Sequence, residues 1–157
     1  MLVLDSSSAI HAWEHYPIRQ FPRLWAWLAG IIGRGELRVP VVVMDEIGHK
    51  LPECREWLKT CGVQVLAVND PILLDALRIR RLLEIETYAA GVDENDLFII
   101  ALARAHGAEL LTNESRQLTP NRKRCNWKIP SVCQLDEVAV PTLDFLAFLK
   151  RSGGVFG

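Results

Sequence analysis

Short apolar runs recur along this chain, and stretches of helical character separate them. Leu2 to Leu4 reads as a short, fully buried strand. Ser6-Ser7-Ser8 then offers a helix cap, Ala9 to His15 continues as a helix, and Pro17 stops it. Phe21, Leu24, Trp25, Leu28 and Ile32 follow at helical spacing within Phe21–Gly33. Leu37 to Val39 reads as a second strand, Val41 to Lys50 as a helix, Glu53 to Cys61 as another, and Val63 to Val68 as a third strand. Asn69-Asp70-Pro71 caps a long helix whose apolar side is expected at Leu73, Leu74, Leu77, Leu82 and Ile85. Asp93 to His106 is the clearest amphipathic helix, ended by Gly107. Leu110 to Thr112 reads as a strand and Ser115 to Asn126 as a polar, basic loop. Lys128 to Val132 suggests a final strand, and Pro141 to Arg151 a closing helix. Strands alternating with helices cover both faces of a mostly parallel sheet. The expected fold class is therefore α/β, as one three-layer α/β/α domain over residues 1–157.

At 157 residues and a net charge of -1, the chain can bury a full core and carries no general basic coat. A local basic patch remains compatible with that balance. Met1-Leu2-Val3-Leu4-Asp5 lacks a basic n-region and a long apolar h-region, so no secretory leader is expected. No apolar run approaches the roughly 18 residues of a membrane span. Cys54, Cys61, Cys125 and Cys133 form no Cys-x-x-Cys pair, and the four His residues are not spaced with them as zinc ligands. Reduced thiols in a cytoplasmic protein are the expectation.

Four carboxylates stand where strand gives way to loop or helix. Asp5 follows the first apolar run, Glu46 lies beyond the second, Asp96 opens Leu97-Phe98-Ile99-Ile100-Ala101, and Glu114 follows Leu110-Leu111-Thr112. In open α/β sheets, ligands bind at the carboxyl ends of the strands. Converging carboxylates repel one another unless cations neutralise them or their pKa values rise. Hard divalent ions such as Mg²⁺ or Mn²⁺ prefer such oxygen ligands. A bound ion can activate water, and a second one about 3.5–4 Å away can stabilise a leaving oxygen, which suits phosphodiester hydrolysis. Each residue also has a plainer reading. Asp5 can be a helix cap, Glu46 an exposed helix residue beside Asp45, and Glu114 a solvated loop residue. Asp93 is placed to cap the Asp93–His106 helix, with Asp96 one turn inside on the same side.

The motifs bearing these residues resemble those of PIN domains. Leu2-Val3-Leu4-Asp5-Ser6-Ser7 resembles the strand-Asp-Thr-Asn/Ser opening of that family. Asp96-Leu97-Phe98-Ile99-Ile100-Ala101-Leu102-Ala103 resembles its Asp-x-x-Ile-Ala-Ala helix. Gly107-Ala108-Glu109-Leu110-Leu111-Thr112-Asn113-Glu114 resembles the Gly-x-x-Leu-Leu/Val-Thr-x-Asp segment that follows. Ile129-Pro130-Ser131-Val132-Cys133 looks like a subgroup among small bacterial proteins of the VapC-like toxin kind. The segments occur in family order and span most of the chain.

The resemblance implies a parallel-sheet α/β/α fold and Mg²⁺- or Mn²⁺-dependent ribonuclease chemistry, with Asp5, Glu46, Asp96 and Glu114 as catalytic and metal-holding carboxylates. Glu114 stands where Asp is usual, so its longer side chain would ligate directly or through water. Ser6-Ser7 replaces the commoner Thr-Asn. Ser7 can orient Asp5 through its hydroxyl or cap the helix, and Asp93 and Asn113 are candidates for supporting roles. Arg122-Lys123-Arg124, with Trp127 nearby, is the best local patch for RNA, and a charged surface loop is its alternative reading. Arg78, Arg80 and Arg81 read as a solvated helix face. Trp13, Trp25 and Trp27 read as core or an oligomer interface. A protein antitoxin and a homodimer, with Trp25–Ile32 as a candidate contact, are the partners the resemblance implies. A degenerate domain that binds RNA or protein without cutting is the second function class. A phosphatase using Asp5 as nucleophile is a third, but its motif wants an Asp where Ser7 stands.

Overall fold

The computed structural model describes residues 1–157. Five short strands form one parallel sheet. They are β1 (Leu2–Leu4), β2 (Leu37–Pro40), β3 (Val65–Leu66), β4 (Glu109–Leu111) and β5 (Thr142–Leu143), in the order β3-β2-β1-β4-β5. Central β1 sets the register. Val3 pairs with Arg38 on one side and Leu110 on the other. All three residues of β1 are buried, as a parallel sheet with both faces covered requires.

Eight helices supply the covering layers. They are α1 (Ser6–His15), α2 (Pro22–Gly33), α3 (Val41–Lys50), α4 (Pro52–Thr60), α5 (Asp70–Leu82), α6 (Glu94–Ala105), α7 (Ile129–Cys133) and α8 (Phe145–Ser152). The result is the three-layer α/β/α arrangement expected from the alternation of elements. Prolines open α2, α4 and α5 in their first turns, where no amide donor is lost. Asn69 caps α5 by accepting from the Ile72 amide at 3.2 Å. Gly107 adopts φ 57°, so the chain turns directly from the end of α6 into β4. No helix is long and apolar enough to cross a membrane.

Several sequence expectations are corrected. Lys128–Val132 is not a strand, because Ile129–Cys133 forms α7. Pro130 sits in the first turn of that helix, where its missing N–H costs nothing, whereas a ladder would have needed the donor. The last strand is instead β5, within the segment expected to start the closing helix. That helix begins only at Phe145, capped by Asp144. On α5 the buried face is Ile72, Ala76 and Ile79, while Leu73, Leu74 and Leu77 are exposed. Arg78 and Arg80 are not a freely solvated face. Arg78 pairs with Asp75 and donates to the Glu137 carbonyl, and Arg80 donates to the Ile85 and Glu86 carbonyls. Trp13 and Trp25 pack edge to face, with Trp57 rather than Trp27 as the third ring. Trp27 lies against Phe148 and Phe156. Within Trp25–Ile32, Trp25, Leu28, Ile31 and Ile32 are buried in the chain's own core.

The strand order decides where a ligand can sit. From β1 the chain moves outward through β2 to β3, then returns to the other side of β1 for β4 and β5. The direction thus reverses between β1 and β4, and the crevice beyond their carboxyl ends is the switch point where open α/β sheets bind ligands. Asp5 leaves β1 at that point, with its amide donating to the Leu111 carbonyl at 2.9 Å. Thr112, Asn113 and Glu114 leave β4 beside it.

Candidate active site

Asp5 is the hub of the crevice. It is 2% exposed, and its Oδ2 accepts hydrogen bonds from the hydroxyls of Ser7 and, at 2.8 Å, Thr112. Ser7 therefore does orient Asp5, and the N-terminus of α1 has no side-chain cap. Burial pushes the Asp5 carboxyl above its ordinary range, against the pull of these donors, and the nearby Glu46 adds to the rise.

Asp96 is fixed by its own helix. Its Oδ2 accepts the Asp93 amide at 2.9 Å, while Asp93 Oδ1 accepts the Asp96 amide at 2.8 Å, a reciprocal capping box at the start of α6. Burial drives the Asp96 carboxyl up to about 8, and the charges of Asp93, Glu114 and Asp5 reinforce the shift. Glu114 is tethered through Oε2 to the Ile129 amide at 3.0 Å, where α7 begins. It too is raised, first by burial and then by Asp5 and Asp93, with the Ile129 amide and Lys128 acting in the opposite sense. Glu46 differs. Burial pushes it up, but hydrogen bonds from Lys50, at 2.7 Å, and from Ser6 bring it below its ordinary value.

The four carboxylates named by sequence thus share one electrostatic neighbourhood around Asp5. Of the supporting candidates, Ser7 holds Asp5, and Asp93 caps α6 beside Asp96. Asn113 ties three elements together. Its amide donates to Ser7 Oγ at 2.9 Å, and its Oδ1 accepts from Ser8 Oγ at 2.7 Å and from the Phe145 amide at 3.0 Å. Asp45, the carboxylate next to Glu46, is exposed. Arg122-Lys123-Arg124 lies on the loop that leads into α7. Trp127 is held there by its indole N–H, which donates to the Asn121 carbonyl at 2.6 Å, with Arg124 over its ring at 5.7 Å.

Three residues of the site escape sequence reasoning. Thr112 is 3% exposed and shares with Ser7 the task of holding Asp5. Lys50 neutralises Glu46 and acts on Asp5 and Asp93, and Lys128 acts on Glu114. The only sequence signal for Lys50 was its position four residues after Glu46.

Carboxylates raised by desolvation are ready to bind a cation that lets them ionise, and all-oxygen donors suit a hard divalent ion. As the side chains stand, no three His, Cys, Asp or Glu groups converge closely enough to enclose a metal. The donor chemistry fits such an ion, and the side chains would have to turn inward to close on it. The cysteines are all free, and burial pushes the Cys54 and Cys133 thiols up to about 12.

Comparison with known structures gives the fold independent support. The chain superimposes on VapBC2 from Rickettsia felis, solved bound to a DNA fragment from their promoter, with a TM-score of 0.56 and 14% identity over 92% of this chain and 98% of the other. PAE2754 from Pyrobaculum aerophilum gives a TM-score of 0.53 at 17% identity, covering 97% of this chain and 94% of that one. A toxin–antitoxin complex from Klebsiella pneumoniae gives 0.51 at 12% identity, covering 78% and 94%. At these identities the likeness is one of fold, and that fold is PIN-like. No curated protein matches the sequence. A family model described as a domain of unknown function, DUF4411, matches residues 2–156, so the chain belongs to the DUF4411 family and carries it on a PIN-like fold.

Proposed function

We propose that this protein is a metal-dependent ribonuclease that hydrolyses RNA phosphodiesters at the β1–β4 crevice. The observation that carries this reading is the set of three desolvated carboxylates, Asp5, Asp96 and Glu114, raised together and joined by Glu46 at the switch point of the sheet. Asp5, Glu46, Asp96 and Glu114 would hold Mg²⁺ or Mn²⁺. Such an ion supplies water activation and neutralises charge on the phosphate. The chain's own groups arrange the rest. Ser7 and Thr112 fix Asp5, the capping box fixes Asp96, and the Ile129 amide fixes Glu114. Each tether uses one carboxylate oxygen. Lys50, Lys128 and the Arg122-Lys123-Arg124 loop supply the positive charge an RNA backbone needs beside an acidic centre.

Two of the similar structures are toxin–antitoxin assemblies by their own descriptions, which supports reading this chain as the toxin of such a pair. Its partner is then an antitoxin that offers a basic or amphipathic segment to the acidic crevice, and a saturating amount of it must slow cleavage. A second reading has one observation in its favour. Because no three candidate ligands yet converge, a module that binds RNA or protein without cutting fits the same crevice.

Cleavage of a mixed RNA pool separates the two. Purified protein is assayed with Mn²⁺, with Mg²⁺ and with EDTA, beside Asp5→Asn and Asp96→Asn. Cleavage that needs the ion and disappears in both variants is the expected result. RNA binding without cleavage under every condition establishes the binding module instead.

A further inference from the structure

A polar cavity of about 230 Å³ opens between the carboxyl ends of β4 and β5. It shares Glu114 with the carboxylate centre but none of the other three acids, and a single hydrophobic residue contributes to its wall. Its lining mixes donors and acceptors. Arg116 is exposed and has no ion-pair partner in the chain. Asn113 uses Oδ1 to accept from both Ser8 and Phe145, which fixes the amide orientation and leaves Nδ2 as a free donor in a lining residue. Ser115 adds a hydroxyl, and neither its backbone amide nor that of Arg116 donates to a backbone carbonyl. Asp144 faces these groups from the start of α8, with Oδ1 committed to the Ala147 amide at 2.7 Å.

Such a mixture excludes most ligand classes. An apolar group finds no matching wall. A free dianion meets two carboxylates, Glu114 and Asp144. A ribose-phosphate unit satisfies both kinds of partner. Its single phosphodiester charge meets Arg116 and the amide donors, and its 2′-hydroxyl donates to a carboxylate.

We infer that this cavity is a nucleotide subsite next to the cleavage centre, in which Arg116 holds the phosphate flanking the scissile one and Asp144 accepts from the adjacent ribose 2′-hydroxyl. This deepens the nuclease reading and rests on RNA being the strand that crosses the carboxylates. It also gives the site a means of preferring RNA to DNA, since DNA has no hydroxyl at that position.

Binding in EDTA tests the subsite without any cleavage. A fluorescent single-stranded RNA and the DNA of the same sequence are titrated with the full chain. Arg116→Ala is expected to weaken binding of both strands by about tenfold, the worth of one charge-assisted contact. Asp144→Asn keeps a residue able to cap α8. It is expected to narrow the preference for RNA over DNA severalfold while leaving DNA affinity unchanged. Wild-type affinity in Arg116→Ala overturns the subsite, and an unchanged RNA preference in Asp144→Asn overturns the ribose contact. Thermal melting confirms that both variants are folded. The nuclease reading fails on different data, the absence of Mn²⁺-dependent cleavage, so the two failures cannot be confused.

Discussion

A carboxylate that caps a helix while facing other carboxylates is pulled in two directions. Asp96 accepts the Asp93 amide, which favours the anion, yet burial and three neighbouring acids favour the proton, and they win with a value of about 8 against an ordinary 3.8. Between those two pH values the folded protein holds a proton that the unfolded chain has released. Stability therefore falls as pH rises through this window, and the contribution is gone above about 8. Glu114 and Asp5 shift in the same direction and add to the trend. In EDTA, the melting temperature should decline from pH 5 to pH 9, and Asp96→Asn should flatten part of that decline. Parallel profiles for the two proteins would show that Asp96 does not ionise late. Under the proposed function Mn²⁺ would bind these carboxylates as anions, so its stabilising effect should grow with pH, reaching about 2.7 kcal/mol at a hundredfold excess over Kd. The acids themselves were legible in the sequence, because Asp5 and Glu114 follow strand ends, Asp96 lies in the first turn of α6 and Glu46 lies in the helix that directly follows β2. Their supports were less so. Thr112 holds Asp5 from 107 residues away, and Glu114 meets the Ile129 amide and feels the Lys128 charge only because the start of α7 returns to it. Contacts of that range leave no local periodicity to read.

At the level of elements, the loops around the crevice are as built as the helices. The connection between α5 and α6 meets the loop before α7 at Gly91 and Val92. The Val92 amide donates to the Trp127 carbonyl at 2.9 Å, and a Cβ on Gly91 would stand 2.9 Å from that same carbonyl oxygen and closer still to the Cys125 carbonyl. Both obstacles are backbone, which cannot move aside as a side chain could. Gly91→Ala should cost about 1–3 kcal/mol, the usual range for overpacking. It should also expose the Val92 amide to hydrogen exchange while amides in the middle of α6 stay protected. Unchanged protection at Val92 would mean that the two loops are not coupled. Elements with one dominant signal were legible before the structure. β1, α3 and α6 fall where the apolar runs and caps put them. α7 and β5 were not legible, since Ile129 and Val132 imitate a strand and the real strand has only two residues. The buried face of α5 was not legible either. The helix carries two interleaved apolar stripes, one through Ile72, Ala76 and Ile79 and one through Leu73, Leu74 and Leu77, and only packing chooses between them.

For the molecule as a whole, a net charge of -1 gives RNA no long-range attraction, and the crevice itself is acidic. RNA binding under the proposed function would therefore come from a few local cations whose contributions can be counted. Arg122 and Lys123 are exposed and form no ion pair, whereas Arg124 lies over Trp127 and reaches the Leu82 carbonyl at 3.5 Å. The first two are thus free to meet phosphate, and the third also organises its loop. Each contacted phosphate on a single strand contributes about -0.7 to the slope of log Kobs against log salt concentration. Replacing Arg122 and Lys123 together by Ala should make that slope shallower by about 1.4 if both residues contact the strand. The same change should leave unfolding free energy within about 0.5 kcal/mol of wild type, as expected for surface positions with no partners. Arg124→Ala should behave differently, lowering the melting temperature as well as the affinity, because it removes a contact that the folded loop uses. A salt titration of RNA binding in EDTA, run beside thermal melts of the three proteins, reads both quantities. If the double variant keeps the wild-type slope, the strand does not cross this loop. Under the proposed function its path over the crevice would then be set by Lys50, Lys128 and Arg116.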